Sequence, residues 1–566
     1  MSHDGDSSSK KRIATIGVSS LILVVIGVAA TVGITKNQNE EAIDGGSEVT
    51  ASNKAAITGL CKPTDYKDAC MESLQSVEPN VTDPRELIKV GFDFTRKKLT
   101  EVMDESTTLK EAEKDPIAKQ ALSVCKDMMK LAINHLQQSF EKIGVFDITK
   151  LDDLMADLQT WLSSVITYQG TCFDGFENVT SPAAPKIKEA INNTMKLSSN
   201  ALVMVQQLND IFKSLDLPDF NTRRLLQEND GELPVWLDSA RRKLLVDDTT
   251  NPNLVIAKDG SGDHKTFAEA IKALPRESMT PFVVQVKAGV YQEKVLIPIS
   301  IWNITWIGEG STTTKVSFNQ SLGGGILTYY TSTFTLQGAG HTFKNIGFEN
   351  PSGADKHSAV AIAIDGDRTA FFNCRFDGYE NTLYSHSNRQ FYRGCTITGT
   401  VDFIFGDAQA LFQNCLILIT KPIDNQVCSV ASSEKVDTHS VTGLVFQNCT
   451  ITGDESYLPV KADFESYLGR TWKDYSTVIY MQSFISDVIN PEGWTTRMGS
   501  FGTTTCFFAE VNNRGPGSNT SQRVTWQGIR KLSPTEALEY TGEKFLMNDA
   551  WITSTGIPYE RGMITM

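Results

Sequence analysis

Three short stretches place charged or amide side chains between apolar residues: GYENTLYSHSNRQFY (Gly378–Tyr392), GTVDFIFG (Gly399–Gly406) and YLGRTW (Tyr467–Trp472). In the second, Asp402 stands between Val401 and the run Phe403, Ile404, Phe405. A carboxylate in such surroundings must find a partner or change its protonation. It either satisfies a turn or belongs to a site. A carboxylate kept ionised is a nucleophile for acyl transfer, a reaction that also asks for a proton shuttle and a group holding the oxyanion. Other chemistries find little support. There is no G-x-x-x-x-G-K-S/T phosphate loop and no G-x-S-x-G elbow. The 7 histidines show no metal-ligand spacing with Cys or Glu, so no metal is expected. No organic cofactor is implied either.

The elements that must carry these residues follow from composition and periodicity. The chain has 566 residues, enough for two or three domains. Its net charge of −14 excludes a general nucleic-acid partner and requires a locally basic groove for any acidic polymer. From about Asp247 to the end, residues 247–566, Gly and β-branched residues are frequent and short strands are the better reading. TFKNIGF (Thr342–Phe348), FFNCRF (Phe371–Phe376), FYRGCTI (Phe391–Ile397), FQNCLI (Phe412–Ile417) and FQNCTI (Phe446–Ile451) repeat one pattern. Stacked short strands with buried ladders predict a parallel β-helix. Cys374, Cys395, Cys415 and Cys449 would then form a column with rungs about 4.8 Å apart. A Cys395–Cys415 bridge is sterically reasonable there, and four buried thiols are the alternative.

The N-terminal half reads as helix. Leu151, Leu154, Met155, Leu158, Trp161, Leu162, Val165 and Ile166 form one apolar face, and further amphipathic stretches run from Pro116 to Ile143 and from Pro185 to Leu215. An all-α bundle over residues 56–215 follows. Its cysteines, Cys61, Cys70, Cys125 and Cys172, allow three connectivities. Ahead of it, Lys10, Lys11 and Arg12 precede an uncharged run, residues 13–35. That run predicts a signal-anchor membrane helix, with a cleaved signal peptide as the alternative, residues 1–12 as a cytoplasmic tail and residues 36–55 as a polar stalk. Export to the extracellular side makes disulfides and glycans possible. Sequons stand at Asn80, Asn178, Asn192, Asn303, Asn319, Asn448 and Asn519. Residues 216–246 read as a linker containing RRLL (Arg223–Leu226) and RKLL (Arg242–Leu245).

Two resemblances attach to these motifs. The four cysteines in this order, with DLQTWLSSVITYQGTCFDGF (Asp157–Phe176), resemble the pectin methylesterase inhibitor family. That resemblance implies a four-helix bundle with bridges Cys61–Cys70 and Cys125–Cys172. HSNRQFY, GTVDFIFG and LGRxW in this order resemble the pectin methylesterase (pectinesterase) family, supported by GVYQEKVLI, GAGHTFKNIGFEN and NRGPGS, over about Asn253 to Tyr559. The resemblance implies a right-handed parallel β-helix in the plant cell wall that cleaves methyl esters of homogalacturonan. It implies Asp402 as nucleophile, Arg470 as its partner, Trp472 as sugar platform and Thr328 as a substrate contact. The basic Leu-Leu sites at the domain boundary resemble processing sites of plant pectin methylesterases, so a processing protease is an expected partner.

Three positions depart from the family's pattern. Where the family usually reads GYQDTLY, with the Asp as general acid and base, this chain reads GYENTLY, with Asn381 and with Glu380 in place of an oxyanion-side Gln. HQAVAL becomes HSAVAI, with Ser358 in place of another Gln. An amide cannot carry the proton, and loss of a positioned acid or base costs about 10²–10⁴ in rate. Adjacent residues of a strand face opposite ways, which argues against Glu380 taking over. Three functions follow: a methylesterase of full or reduced rate, a pectin-binding relative without turnover, or an inhibitor of other pectin methylesterases through the helical region.

Overall fold

The computed structural model describes residues 45–104, 115–145, 150–177, 179–214 and 252–564. The run 13–35, the linker 216–246 with both basic sites, and Asn178 lie outside the described residues. Among the described residues no helix is long and apolar enough to cross a membrane.

Among the described residues, six helices form the N-terminal part: α1 (Gly45–Cys61), α2 (Lys67–Ser73), α3 (Pro84–Asp104), α4 (Pro116–Gly144), α5 (Leu151–Gly175) and α6 (Ala183–Ser214). The last four are long and pack on one another as the expected bundle. Asp115 caps α4, accepting from the Ile117 and Ala118 amides at 2.8 and 3.1 Å, with Pro116 at the first helical position. Disulfides Cys61–Cys70 and Cys125–Cys172 tie α1 to α2 and α4 to α5. The stalk is corrected in part, because residues 45–55 belong to α1. Within that helix Asn53 is buried in line with Ile57, Leu60 and Cys61, which follow the expected stalk.

The C-terminal part is a parallel β-helix of three sheets. One has eleven strands, from Leu254–Ile256 to Ile529–Arg530, and a second has eight, from Gly289–Tyr291 to Phe484–Ile485. The third also has eight: β1 (Val295–Ile297), β2 (Phe334–Leu336), β3 (Ile362–Ile364), β4 (Leu383–Tyr384), β5 (Ile404–Gly406), β6 (Cys428–Ser433), β7 (Ser466–Thr471) and β8 (Trp494–Thr496). The repeat explains the stacking. Phe343, Phe371, Tyr392, Phe412, Phe446 and Tyr480 lie on successive rungs, with ring centroids 4.3–5.1 Å apart. Asn345, Asn373, Asn414 and Asn448 then turn the chain with φ of 52–57°, a left-handed conformation that Asn tolerates. Three short helices, Pro534–Leu538, Gly542–Phe545 and Ala550–Thr553, add to the all-β expectation and cover Phe391, Leu411, Val445 and Ile479.

The column Cys374, Cys395, Cys415, Cys449 is present and buried, but the Cys395–Cys415 bridge is not formed. Equivalent side chains on parallel rungs point the same way, so sulfurs stay near the rung spacing of about 4.8 Å, far beyond an S–S bond. Each thiol is directed to a main-chain oxygen, Cys395 to Phe371 and Cys415 to Tyr392, both at 3.6 Å. Of the sequons, Asn80, Asn192, Asn319 and Asn519 are exposed. Asn303 and Asn448 are half-buried turn residues whose amide nitrogens donate to the Ser278 carbonyl and to Asn414.

The bundle lies against the third sheet. Helix α5 is buried nearly all round because its polar stripe faces the β-helix. Asp157 accepts from Arg389 at 2.7 Å, Trp161 donates to Asp367 at 3.2 Å, Thr167 donates to Asp407 at 2.7 Å and Thr171 meets His386 Nε2 at 2.7 Å. Tyr384 and Phe405, pointing outward from β4 and β5, join the bundle's core. Burial pushes the Asp407 carboxyl up to about 6, partly offset by hydrogen bonds from Thr442 and Thr167. Burial also pushes Glu434 up to about 7, which His386 lowers and Asp174 raises further. Exposing both groups would return them to the ordinary carboxylate range near about 4. Their contribution to docking is therefore complete below that range and is lost as pH rises through about 6–7. With the linker cut, the bundle is expected to leave the β-helix more readily at about pH 8 than at about pH 5, as size-exclusion chromatography would register.

Candidate active site

The column that holds Asp402 is built by register. Leu383 pairs with Ile404, and Ile404 with Ala431. Continued two residues back, this alignment sets Asn381 under Asp402 and Ser429 above it. The hydrogen bonds agree: Asn381 Nδ2 donates to the Asp402 carbonyl at 3.2 Å, and the Asp402 amide donates to Ser429 Oγ at 3.0 Å. Ser429 Oγ in turn donates to Asp402 Oδ1. Asp402 is 1% exposed and has φ of +45°, so its backbone is held in a region that costs a non-glycine residue energy. The motif's last glycine has a separate reason. Gly406 has φ of +128°, and a Cβ there would stand 2.0 Å from the Ser385 carbonyl oxygen.

Arg470, on β7, reaches Asp402 with both arms of its fork. Nε lies 2.8 Å from each carboxylate oxygen and Nη2 lies 2.6 Å from Oδ2. This bidentate pair, with the Ser429 hydroxyl, satisfies a carboxylate buried among apolar neighbours and aims it. Trp472 is half-buried on the far side of Arg470, whose guanidinium is 5.5 Å from the indole centroid. The exposed Arg497 guanidinium lies closer, at 3.8 Å, and covers one face of that ring. A sugar stacking on Trp472 must use the other face or displace Arg497.

The remaining predicted residues sit around this pair. Glu380 and Ser358 are on the neighbouring rungs, Ala359 N donating to the Glu380 carbonyl at 3.1 Å. Ser358 is 3% exposed. Glu380 is half-buried, with Oε2 3.4 Å from Gln426 Nε2 and 3.8 Å from His357 Nδ1. Thr328 opens a 3-10 turn, Thr328–Thr331, beside the bundle, where Tyr330 donates to Asp127 at 2.6 Å. Sequence reasoning missed Ser429, Gln426, His357 and Arg497. No local motif marks them, because register and loop approach bring them to the site.

The family model described as Pectinesterase matches residues 253–549, and that of plant invertase/pectin methylesterase inhibitor matches residues 55–204. Putative pectinesterase/pectinesterase inhibitor 28 of Arabidopsis thaliana is 43% identical over 99% of this chain and 76% of its own length. Probable pectinesterase/pectinesterase inhibitor 21 of the same plant is 42% identical over 99% of this chain and 84% of its own. Pectin methylesterase from carrot superposes with a TM-score of 0.55 and 41% identity, covering 56% of this chain and all of the carrot chain. The chain therefore belongs to the pectinesterase family of carboxylic ester hydrolases, with an inhibitor-family helical domain preceding the β-helix.

Proposed function

We propose that the chain hydrolyses methyl esters of homogalacturonan, giving pectate and methanol in the cell wall. The observation that carries this reading is the two-armed Arg470 fork on the buried Asp402. It engages both carboxylate oxygens and fixes their direction, as an aimed nucleophile requires. Asp402 attacks the ester carbonyl, methanol leaves, and water releases the galacturonyl group from the acyl-enzyme. Trp472 and Thr328 contact the sugar chain. Residues 13–35 anchor the precursor, and a protease cuts the linker at Arg223–Leu226 or Arg242–Leu245. Until then the bundle restrains the enzyme, a role supported by its packing against Tyr384 and Phe405 beside the reacting column.

A second reading is a pectin-binding relative without turnover, and Asn381 favours it because its amide is turned to the Asp402 main chain. The two readings separate in one experiment on the chain cut in its linker, both halves retained, with methyl-esterified homogalacturonan. Methanol accumulating well above buffer supports the esterase. Binding of oligogalacturonate without methanol supports the binder. The third reading, inhibition of other pectin methylesterases, would need the α5 polar stripe to leave its own β-helix first.

A further inference from the structure

Resting on the esterase reading, we propose that Glu380 is the proton donor and acceptor of the reaction, one residue before the position where the family carries that carboxylate. Four observations converge on it. Glu380 and Asn381 are turn residues ahead of β4, and Asn381 has φ of +63°, so the alternation of a strand does not oppose their side chains. Asn381 is occupied with the Asp402 main-chain carbonyl, 3.2 Å away. Glu380 instead has its carboxylate between Gln426 and His357, at 3.4 and 3.8 Å.

The fourth observation points to a ligand. Ser358 Oγ and Gln426 Oε1 are buried and have no hydrogen-bond partner among the described residues. Ser358 is only 3% exposed, and its rung bonds directly to that of Glu380. An unpaired buried polar atom is costly unless something occupies it in the working state. A sugar hydroxyl of the substrate can donate to Gln426 Oε1, and Ser358 Oγ can donate to a substrate oxygen such as that of the leaving methoxyl. The titratable and charged groups facing Glu380 are His357, Asp402 and Arg470. Burial lifts the Glu380 carboxyl above its ordinary value; His357 opposes this, the Asp402 charge adds to it and Arg470 opposes it. The net upward direction favours a protonated donor.

The steps balance. Asp402 Oδ forms a bond to the ester carbonyl carbon, giving a tetrahedral oxyanion. Its collapse breaks the carbon–methoxyl bond as Glu380 gives its proton to the departing oxygen, so methanol leaves and Glu380 is ionised. Glu380 then takes a proton from water as that water attacks the galacturonyl carbonyl. Asp402 departs as carboxylate, Glu380 is again protonated, and the product acid loses its proton to solvent.

The test compares wild type, Glu380→Gln and the double variant Glu380→Gln/Asn381→Asp, all as linker-cut chain with both halves present, by methanol release. A proton-transfer role predicts that Glu380→Gln alone lowers kcat about 10²–10⁴-fold and removes the alkaline fall of kcat/KM. The double variant then regains activity, because the carboxylate introduced at position 381 stands on the rung beneath Asp402. If Glu380 carries no proton, its charge only opposes the oxyanion, and Glu380→Gln leaves kcat unchanged or raises it. That result overturns the inference and keeps the esterase reading. A wild type that releases no methanol overturns both.

Discussion

Replacing Arg470 by Ala is expected to lower kcat for methanol release about 10²–10³-fold and to destabilise the β-helix by about 3–5 kcal/mol. Both effects have one origin. Arg470 supplies every charged partner that Asp402 has among the described hydrogen bonds, through three contacts of 2.6–2.8 Å. Asp402 is almost fully buried, so without the guanidinium its carboxylate keeps only the Ser429 hydroxyl as a side-chain partner and is no longer held in one direction. Arg470→Lys restores a positive charge but not the planar fork, and should recover only part of the rate. Initial rates with methyl-esterified homogalacturonan, together with urea unfolding of the same variants, measure the two effects separately.

The second large effect concerns the hold of the bundle on the β-helix. Asp157 of α5 accepts from Arg389 at 2.7 Å and from Arg368, while Asp367 receives Arg389 through contacts of 3.0 and 2.6 Å. Burial alone would raise Asp157, but Arg389 and Arg368 outweigh it and hold the carboxyl below its ordinary value. Arg389 is fully buried, so Asp157→Ala removes one of its two carboxylate partners where water cannot replace it. Truncating one member of a buried interfacial charge pair costs about 2–5 kcal/mol. After linker cleavage, the Asp157→Ala bundle should dissociate from the β-helix at least about thirtyfold more readily, and methanol release should rise in parallel if the bundle restrains the site. Surface plasmon resonance between the separated halves reads the first effect and the methanol assay reads the second.

Much of this architecture was legible in the sequence, for identifiable reasons. The repeat carrying Phe371, Phe412 and Phe446 encodes a stacked core directly, since each aromatic meets its equivalent one rung away. The apolar stripe from Leu151 to Ile166 encodes a bundle helix in the same way. The polar side of that helix was not legible. Asp157, Thr160, Ser164, Thr167 and Thr171 look solvated by type, yet they bond Arg389, Gln409, Asn388, Asp407 and His386 across the interface. Asp402 with Arg470 could be read from motifs, whereas Ser429 could not, because only inter-rung register brings it there. The Cys395–Cys415 bridge failed for the complementary reason: closeness along a column says nothing of the parallel direction of its side chains. The strand rule applied to Glu380 failed because the chain turns at Asn381 before β4 begins.

The central claim is that Asp402 is the nucleophile of a working esterase. Methanol release by the linker-cut chain carrying Asp402→Asn, set beside wild type on the same substrate, tests it most directly. The amide keeps the shape and can still meet Ser429, but it cannot attack, so a loss of about 10⁴-fold or more is predicted. A variant that keeps its rate within about tenfold of wild type would contradict the claim, since no enzyme loses its nucleophile at so small a cost.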